Sequence, residues 1–200
     1  MKAHDHLAQD PVMASLIERH GRLRLKSSRT EPYEALCEAV IYQQLHAKAA
    51  AAIFGRVVGQ IGGCAFPAPA QLLETSDGAL RAAGLSRNKS LALRDIAAHA
   101  ADGRLPTRAE SRRLSDGELI ERLTDIRGIG RWTVEMFLMF NLGRPDVLPA
   151  DDLGVRKGFM SAYRKRELPA PKALAEFGQR WAPHRTLASF YLWRAADTNA

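Results

Sequence analysis

Apolar side chains recur at intervals of three and four residues along most of the chain, and helix-capping residues separate these runs. Asp10 and Pro11 open one run, since Asp is suited to the N-cap and Pro to the first turn. Ser115 and Glu118 have the spacing of a capping box. The alternation typical of a β-strand appears only briefly, at residues 22–25. The pattern therefore predicts an all-α protein of about ten helices.

Composition adds a basic charge and argues against a membrane protein. The chain has 29 Lys and Arg against 22 Asp and Glu, a formal net charge of +7. This balance favours a polyanionic partner, although many basic proteins bind no nucleic acid. No apolar run approaches the roughly 20 residues that span a bilayer, and the N-terminal segment has no secretory signal. Cys37 and Cys64 predict neither a disulfide framework nor a metal site, so we expect a cytoplasmic protein.

Residues 115–142, SDGELIERLTDIRGIGRWTVEMFLMFNL, predict two helices joined by a tight turn. The first helix ends near Thr124 and the second begins near Arg131. Gly128 and Gly130 let the backbone turn, and Ile129 between them is placed to fill the space between the helices.

The amides of Gly128, Gly130 and Arg131 then lie at a helix N-terminus, where they can donate to a phosphate. An ordinary glycine turn between packed helices is the alternative. The flanking helices and the Arg-Trp-Thr sequence after the second glycine favour the phosphate site.

The stretch LTDIRGIGRWTVEMF, residues 123–137, closely resembles the helix-hairpin-helix of DNA repair glycosylases. In that superfamily the hairpin binds DNA phosphate through backbone amides, often with a monovalent cation held by main-chain carbonyls. By position, the resemblance implies Thr124, Ile126 and Gly128 as the carbonyl ligands of a structural Na⁺ or K⁺. No other cofactor is expected.

A carboxylate pair follows in residues 143–159, GRPDVLPADDLGVRKGF. The resemblance aligns Asp152 with the superfamily's catalytic Asp, and Arg156 with a basic residue in the next turn. Cleavage of an N-glycosidic bond builds positive charge on the deoxyribose, which a fixed anion stabilises while it orients or deprotonates water. Asp151 is the alternative within the pair. We expect Asp151 near the N-cap of the next helix and Asp152 at the sugar.

Two positions narrow the type of glycosylase. Trp132 stands where bifunctional relatives place a Lys that acts as a Schiff-base nucleophile, so we expect no lyase activity. No cysteine follows Cys64, which excludes the four-cysteine iron–sulfur cluster of other relatives.

Tryptophan at this position is characteristic of the DNA-3-methyladenine glycosylase II family, which the chain resembles from about Tyr33 to Trp193. The resemblance implies two helical lobes with a cleft between them, in a compact form without an N-terminal β-domain. The whole chain, residues 1–200, would be one helix-hairpin-helix glycosylase unit. Its lobes would be approximately residues 31–142, with the hairpin at 115–142, and residues 1–30 plus 150–200.

The family's C-terminal pattern matches residues 180–195, RWAPHRTLASFYLWRA, and implies that Trp193 is a second aromatic residue of the base pocket. An indole attracts a cationic methylated base by stacking and cation–π contact. Plain core packing is the alternative role of each Trp. Met136 and Leu153 stand where the family often has aromatic residues, which predicts a less aromatic pocket. The pocket candidates are Trp132, Trp193, Met136 and Tyr42.

Residues 39–54, AVIYQQLHAKAAAAIF, match the family's wedge, which fills the gap left by a flipped base. The match implies Gln44 and Leu45 at the tip, with Leu45 inserted into the base stack. His46 is placed to reach the minor groove, and Lys48 to meet a phosphate. A core leucine and a solvated histidine are the alternatives.

The sequence thus predicts a monofunctional DNA glycosylase that flips and hydrolytically excises alkylated purines, such as 3-methyladenine and 7-methylguanine, in base excision repair of DNA damage. Its partner would be double-stranded DNA with damaged bases, and its product DNA an abasic site. We expect a monomer that binds no membrane, associated with the nucleoid if bacterial. A non-catalytic helix-hairpin-helix DNA-binding module is the alternative, and a helical protein that binds small molecules is a more distant one.

Overall fold

The computed structural model describes residues 2–197, which contain thirteen α-helices and no β-strand. The all-α prediction is confirmed. The described residues contain more helices than the roughly ten predicted, because short helices of five or six residues form where the spacing of apolar residues is less regular. In chain order they are α1 Ala3–Leu7, α2 Pro11–His20, α3 Pro32–Tyr42, α4 Ala47–Val57, α5 Pro69–Glu74, α6 Asp77–Ala82, α7 Arg87–Ala101, α8 Arg108–Arg113, α9 Asp116–Thr124, α10 Arg131–Met136, α11 Leu153–Ala162, α12 Pro171–Phe177 and α13 Arg185–Asp197.

Shorter helical turns extend three of these helices. Val58–Gly62 continues α4 as a π-helix, and Phe137–Leu142 does the same for α10. A 3-10 turn, Gly178–Trp181, follows α12. None of the helices in residues 2–197 is long and apolar enough to cross a bilayer.

The chain forms two compact units. Unit 1 comprises Met1–Ser28 and Leu138–Ala200, and unit 2 comprises Arg29–Phe137. The last residues of the hairpin, 138–142, belong to unit 1, whereas the predicted lobe of residues 31–142 included them. The reason is local packing, since Phe140 stacks on side chains of α13.

Unit 2 is built around α7, which contacts both α3 and α5. Ser86 caps α7 by accepting a hydrogen bond from the Lys89 amide. Helices α9 and α10 contact each other and form the hairpin. The buried side chains of α3 and α7 are Leu36, Cys37, Val40, Ile41, Ser90, Ala92, Leu93, Ile96 and Ala97.

Unit 1 depends on the contact between α11 and α13, the most extensive helix pair in the described chain. A Cβ atom at Gly158 would overlap the carbonyl of Leu192, so only glycine allows the two backbones to come this close. Helix α2 packs against α13 as well, and Asp10 at its N-cap accepts hydrogen bonds from Tyr163 Oη at 2.6 Å and Trp181 Nε1 at 3.4 Å. Burial and the bond to Asp10 raise the pKa of Tyr163.

A bidentate ion pair joins the connection before α11 to the start of α13. Arg185 Nε and Nη2 donate to the two carboxylate oxygens of Asp146, each at 2.8 Å, and the Arg185 amide donates to Oδ1 at 3.2 Å. The bonds from Arg185 lower the pKa of Asp146, against an opposing effect of burial. The ion pair therefore anchors the connection at Asp146 to the first residue of α13.

We expect Asp146→Asn to lower the free energy of unfolding at pH 7 by ~1–3 kcal/mol, toward the lower end because both side chains are partly exposed. Because the folded-state pKa of Asp146 lies below the unfolded one, its contribution is full above about pH 4 and is lost as pH falls through the folded value. Urea unfolding of wild type and variant from pH 7 to pH 3 measures this, and the two should converge at low pH. Asp102→Asn, which removes an exposed ion pair with Arg104, is the control and should change stability by less than about 0.5 kcal/mol.

Candidate functional site

The predicted hairpin is present in unit 2. Helix α9 begins with the predicted capping box, in which the Ser115 amide donates to the Glu118 carboxylate at 2.7 Å and Ser115 Oγ accepts from the Glu118 amide at 3.2 Å. Ile126 and Ile129 are 2% and 3% exposed, so both aliphatic residues of the turn fill the space beneath it. Gly130 is the N-cap of α10, whose first hydrogen bond runs from the Val134 amide to the Gly130 carbonyl.

Two constraints at position 128 favour glycine. The φ angle of Gly128 is +80°, in the left-handed region that favours glycine. A Cβ atom there would lie 2.9 Å from the Cβ of Ala92 on α7. Gly130, by contrast, has a φ of −93° and open space around it. The fold thus requires glycine at position 128. At position 130 glycine leaves open space next to the backbone amides at the start of α10.

Side chains from neighbouring elements hold the turn in place. The Arg127 amide donates to Asp95 Oδ2 on α7 at 2.7 Å. Gln43 Nε2 donates to the Gly128 carbonyl at 3.1 Å. Arg131 Nε donates to Glu135 Oε1 at 2.9 Å one turn later, with the Arg131 side chain largely exposed.

The carbonyls predicted to bind a monovalent cation are already engaged at two of three positions. The Ile126 carbonyl accepts from the Ile129 amide at 3.1 Å, and the Gly128 carbonyl accepts from Gln43. A carbonyl oxygen has a second lone pair, so a cation would share both oxygens with protein donors. The predicted set of Thr124, Ile126 and Gly128 is therefore a partial fit.

Residues 43–46, which we call the wedge turn, connect α3 to α4. Gln44 has a φ of +55°, and Leu45 is 39% exposed at the tip. His46 is the N-cap of α4, with Nδ1 accepting from the Lys48 amide at 3.4 Å. Gln44, Leu45 and His46 thus lie on the exposed wedge turn, and Lys48 lies next to them in the first turn of α4.

Three pocket candidates lie in unit 2. Trp132 is in the first turn of α10 and is 46% exposed, which is unusual for a large aromatic side chain. Met136 lies one turn further along and is half-buried, as is Tyr42 at the end of α3. The exposure of Trp132 does not fit the alternative in which it only packs in the core.

The carboxylate pair lies in unit 1, at the start of α11, and corrects one prediction. Asp152, not Asp151, is the N-cap: its Oδ1 accepts from the Val155 amide at 2.8 Å, and its backbone is extended. Asp151 is exposed and directly precedes the N-cap, two residues before the first residue of α11. The division of roles that assigned the cap to Asp151 was wrong, because α11 begins at Leu153 and its cap must directly precede it.

Trp193 fixes the same carboxylate oxygen from α13. Its Nε1 donates to Asp152 Oδ1 at 2.8 Å. A Cβ atom at Gly154 would lie 2.8 Å from Cδ1 of the indole and 3.1 Å from Asp152 Oδ1. Glycine at position 154 therefore leaves the space in which the indole reaches the carboxylate. Arg156 is directed elsewhere, since its Nε donates to the Pro169 carbonyl at 2.9 Å.

Two phenylalanines that the sequence analysis missed stack around Trp193. The rings of Phe140 and Phe190 are 5.5 Å apart and nearly parallel, and their centroids lie 6.0 and 5.9 Å from that of Trp193. Phe140 is 47% exposed. We call Phe140, Phe190 and Trp193 the aromatic cluster. The expectation of a less aromatic pocket was based only on Met136 and Leu153. Phe140 and Phe190 are some 50 positions apart in the sequence, so no local pattern indicates that their rings stack.

A cavity of about 320 Å³ opens against the aromatic cluster within unit 1. This volume is near the lower limit for small-molecule sites and suits a ligand of the size of one base. Its lining residues are Leu23, Arg24, Phe140, Phe190, Trp193, Arg194 and Asp197. Asp152 is not one of these residues and contacts the aromatic cluster through its bond with Trp193. Stacked aromatic rings can hold a planar ligand, and a hydrogen-bonded carboxylate beside them can stabilise positive charge.

Comparison with known proteins agrees with these features. A family model described as HhH-GPD superfamily base excision DNA repair protein matches residues 37–184. DNA-3-methyladenine glycosylase 1 of Schizosaccharomyces pombe is 43% identical over 198 residues, which cover 98% of this chain and 87% of that protein.

Two solved structures are similar to the chain over almost its whole length. A Schizosaccharomyces pombe 3-methyladenine DNA glycosylase (Mag1) in complex with abasic DNA superposes with a TM-score of 0.87 at 43% identity, covering 97% of this chain and 96% of that one. A DNA-3-methyladenine glycosidase from Bacillus halodurans gives a TM-score of 0.86 at 42% identity, covering 97% and 88%.

The two glycines of the hairpin provide a matched stability test. We expect Gly128→Ala to lower the free energy of unfolding by ~2–4 kcal/mol, because it adds left-handed strain to a clash with Ala92. Gly130→Ala should change it by less than about 1 kcal/mol, since its backbone angles suit alanine. Urea denaturation measures both. Equal effects of the two substitutions would contradict the different constraints assigned to them.

Proposed function

The chain belongs to the HhH-GPD superfamily of base excision DNA repair proteins and is a DNA glycosylase. We propose that it is a monofunctional enzyme that excises alkylated purines from duplex DNA. The substrates would include 3-methyladenine and 7-methylguanine, and the products are the free base and an abasic site. The observation that carries the proposal is the hydrogen bond between Asp152 and Trp193, which places a fixed carboxylate next to the aromatic cluster.

The reaction requires an anion beside the sugar. When the bond between C1′ and the base nitrogen breaks, its electron pair leaves with the base and positive charge develops on the deoxyribose. Asp152 stabilises that charge and orients the attacking water, whose oxygen bonds to C1′ while its proton passes to the carboxylate or solvent. The bonds to Val155 and Trp193 hold the carboxylate in place before the reaction begins.

The aromatic cluster suits an alkylated purine. Methylation at N3 or N7 makes the base cationic, and an aromatic face attracts a cation by ~0.5–2 kcal/mol. The exposed ring of Phe140 and the indole of Trp193 offer such faces. The same charge makes the base a good leaving group, so no separate general acid is needed. Trp132, which stands in the lyase lysine's position, supports hydrolysis without strand cleavage.

The hairpin and the wedge turn supply DNA binding. The amides at the start of α10, near Gly130 and Arg131, are placed to donate to a backbone phosphate. Leu45 would fill the gap left in the base stack. A non-catalytic DNA-binding module is the alternative function, but it would need neither the buttressed Asp152 nor the aromatic cluster.

The proposed reaction needs no redox or metal cofactor. Where a Na⁺ or K⁺ binds at the hairpin, it would neutralise phosphate charge, with Thr124, Ile126 and Gly128 as its carbonyl ligands. We place the enzyme where the DNA is, in the cytoplasm and at the nucleoid in a bacterium, and its acting form as a monomer.

Asp152→Asn is the decisive variant because asparagine caps a helix as well as aspartate, so α11 should keep its start. We expect the single-turnover rate of release of 3-methyladenine and 7-methylguanine from alkylated duplex DNA to fall by ~10²–10³. Release is measured by chromatography of the freed bases. Asp151→Asn is the matched control and should be close to wild type.

No release by the wild-type protein would overturn the proposed activity. Loss in Asp151→Asn with full activity in Asp152→Asn would exchange the two roles. A protein–DNA adduct trapped by borohydride would contradict the monofunctional assignment, since only a Schiff base is trapped in this way.

Trp193→Phe tests whether the indole acts through Asp152 as well as by stacking. The variant keeps an aromatic ring and loses the donor at 2.8 Å. A hydrogen bond to a charged group contributes ~1.5–3 kcal/mol, so we expect a rate about 10- to 100-fold slower. Affinity for the product DNA, measured by fluorescence anisotropy, should change little. An unchanged rate would restrict Trp193 to stacking.

A further inference from the structure

Lys89 on α7 binds the backbone of the wedge turn. Its ammonium donates to the Ile41 carbonyl at 2.7 Å and to the Gln43 carbonyl at 2.9 Å. Both carbonyls lie at the C-terminal end of α3, where helix carbonyls lack partners within the helix and the helix dipole favours a cation. Lys89 is half-buried, and burial lowers the pKa of its ammonium. The ammonium therefore loses part of its hydration, which the two carbonyl contacts replace.

Gln43 continues the connection from the wedge turn to the hairpin. While its carbonyl accepts from Lys89, its side-chain Nε2 donates to the Gly128 carbonyl at 3.1 Å and, more weakly, to Thr133 Oγ1 at 3.4 Å. The same glutamine therefore contacts α7 through its backbone and the phosphate-binding turn through its side chain. All of these contacts lie within unit 2.

Within residues 2–197, no side chain donates a hydrogen bond to the backbone of the next two residues of the wedge turn, Gln44 and Leu45. Gln44 is held in the left-handed region at a φ of +55°, which costs a non-glycine residue energy that its surroundings must supply. Leu45 is exposed, so burial in a core does not fix it. Its amide makes a single bond of 3.3 Å to the Tyr42 carbonyl. The position of Leu45 is consequently set by its neighbours in the chain, which are Gln43 and Gln44 before it and the N-cap His46 after it.

We propose that Lys89 and Gln43 are positioning residues that hold Leu45 ready for insertion into DNA and couple this insertion to phosphate binding by the hairpin. The inference rests on the proposed function for the role of Leu45. Neither residue touches the reacting sugar. Their effect should therefore appear when a base has to leave the stack, and not when it is already outside it.

The first measurement follows insertion without chemistry. A duplex with a tetrahydrofuran abasic analogue beside a 2-aminopurine reports unstacking as a fluorescence change when saturating protein is added. Lys89→Met removes the ammonium but keeps an unbranched side chain. Lys172→Met, at an exposed lysine on α12, loses the same charge and is the control. We expect a clearly smaller change with Lys89→Met and the wild-type change with Lys172→Met.

The second measurement compares excision of 7-methylguanine from a paired site and from an unpaired loop in the same duplex. We expect Lys89→Met to slow single-turnover release from the paired site by about 10-fold or more, because a misplacement of about 1 Å can cost up to ~10²-fold. Release from the loop should change by less than about twofold, since that base is already outside the stack. A merely structural role of Lys89 would slow both substrates alike.

The outcomes separate the two proposals. Equal slowing on both substrates, or a wild-type fluorescence change with Lys89→Met, would overturn the positioning role. Absence of base release by the wild type from both substrates would overturn the proposed function, and the fluorescence measurement would still decide on Lys89. If Lys89→Met does not fold, as judged by its thermal melt, Gln43→Leu takes its place. It removes the bond to Gly128 and should give the same pattern.

Discussion

The close approach of α11 and α13 is the constraint on which unit 1 and its carboxylate depend. Gly154 and Gly158 are four residues apart and therefore lie on the same face of α11. At Gly158 the missing side chain admits the Leu192 carbonyl, and at Gly154 it admits the indole of Trp193. Because the two contacts are made by consecutive residues of α13, one packing arrangement brings the backbones together and delivers the indole to Asp152.

Asp152 caps α11, and in the proposed reaction the same carboxylate would also stabilise charge on the sugar. As the N-cap it satisfies the Val155 amide, and the positive end of the helix dipole favours its charge. The bond from Trp193 reaches the same oxygen from a second helix. A carboxylate held from two directions reorganises little when charge develops next to it, which is the condition for electrostatic stabilisation of a transition state. In the proposed reaction the capping bond would thus prepare the carboxylate for catalysis and would not compete with it.

Local signals in the sequence were enough to predict much of this arrangement. The capping box at Ser115, the glycine turn at Gly128 and the all-α pattern follow from rules that act within a few residues, and each is present in the structure. The assignment of the cap to Asp151 failed because it required the helix start to within one residue. The stacking of Phe140 on Phe190 could not be predicted, since it depends on tertiary contact between distant segments. The roles of the candidate site residues in DNA binding and catalysis stay predictions.

Two of the left-handed residues of unit 2, Gly128 and Gln44, show how packing and exposure select different amino acids for the same backbone conformation. At Gly128 the neighbouring Ala92 leaves no space for a Cβ atom, so the turn can only be glycine. Gln44 is exposed, and glycine at this position would adopt the left-handed conformation without strain. The chain nevertheless has a long polar side chain here, at a cost in backbone conformational energy. Gln44 directly precedes Leu45 at the tip, so under the proposed function the strained residue would lie next to the DNA. The hydrogen bonds from Lys89 and Gln43 would hold the wedge turn in this conformation in the absence of DNA.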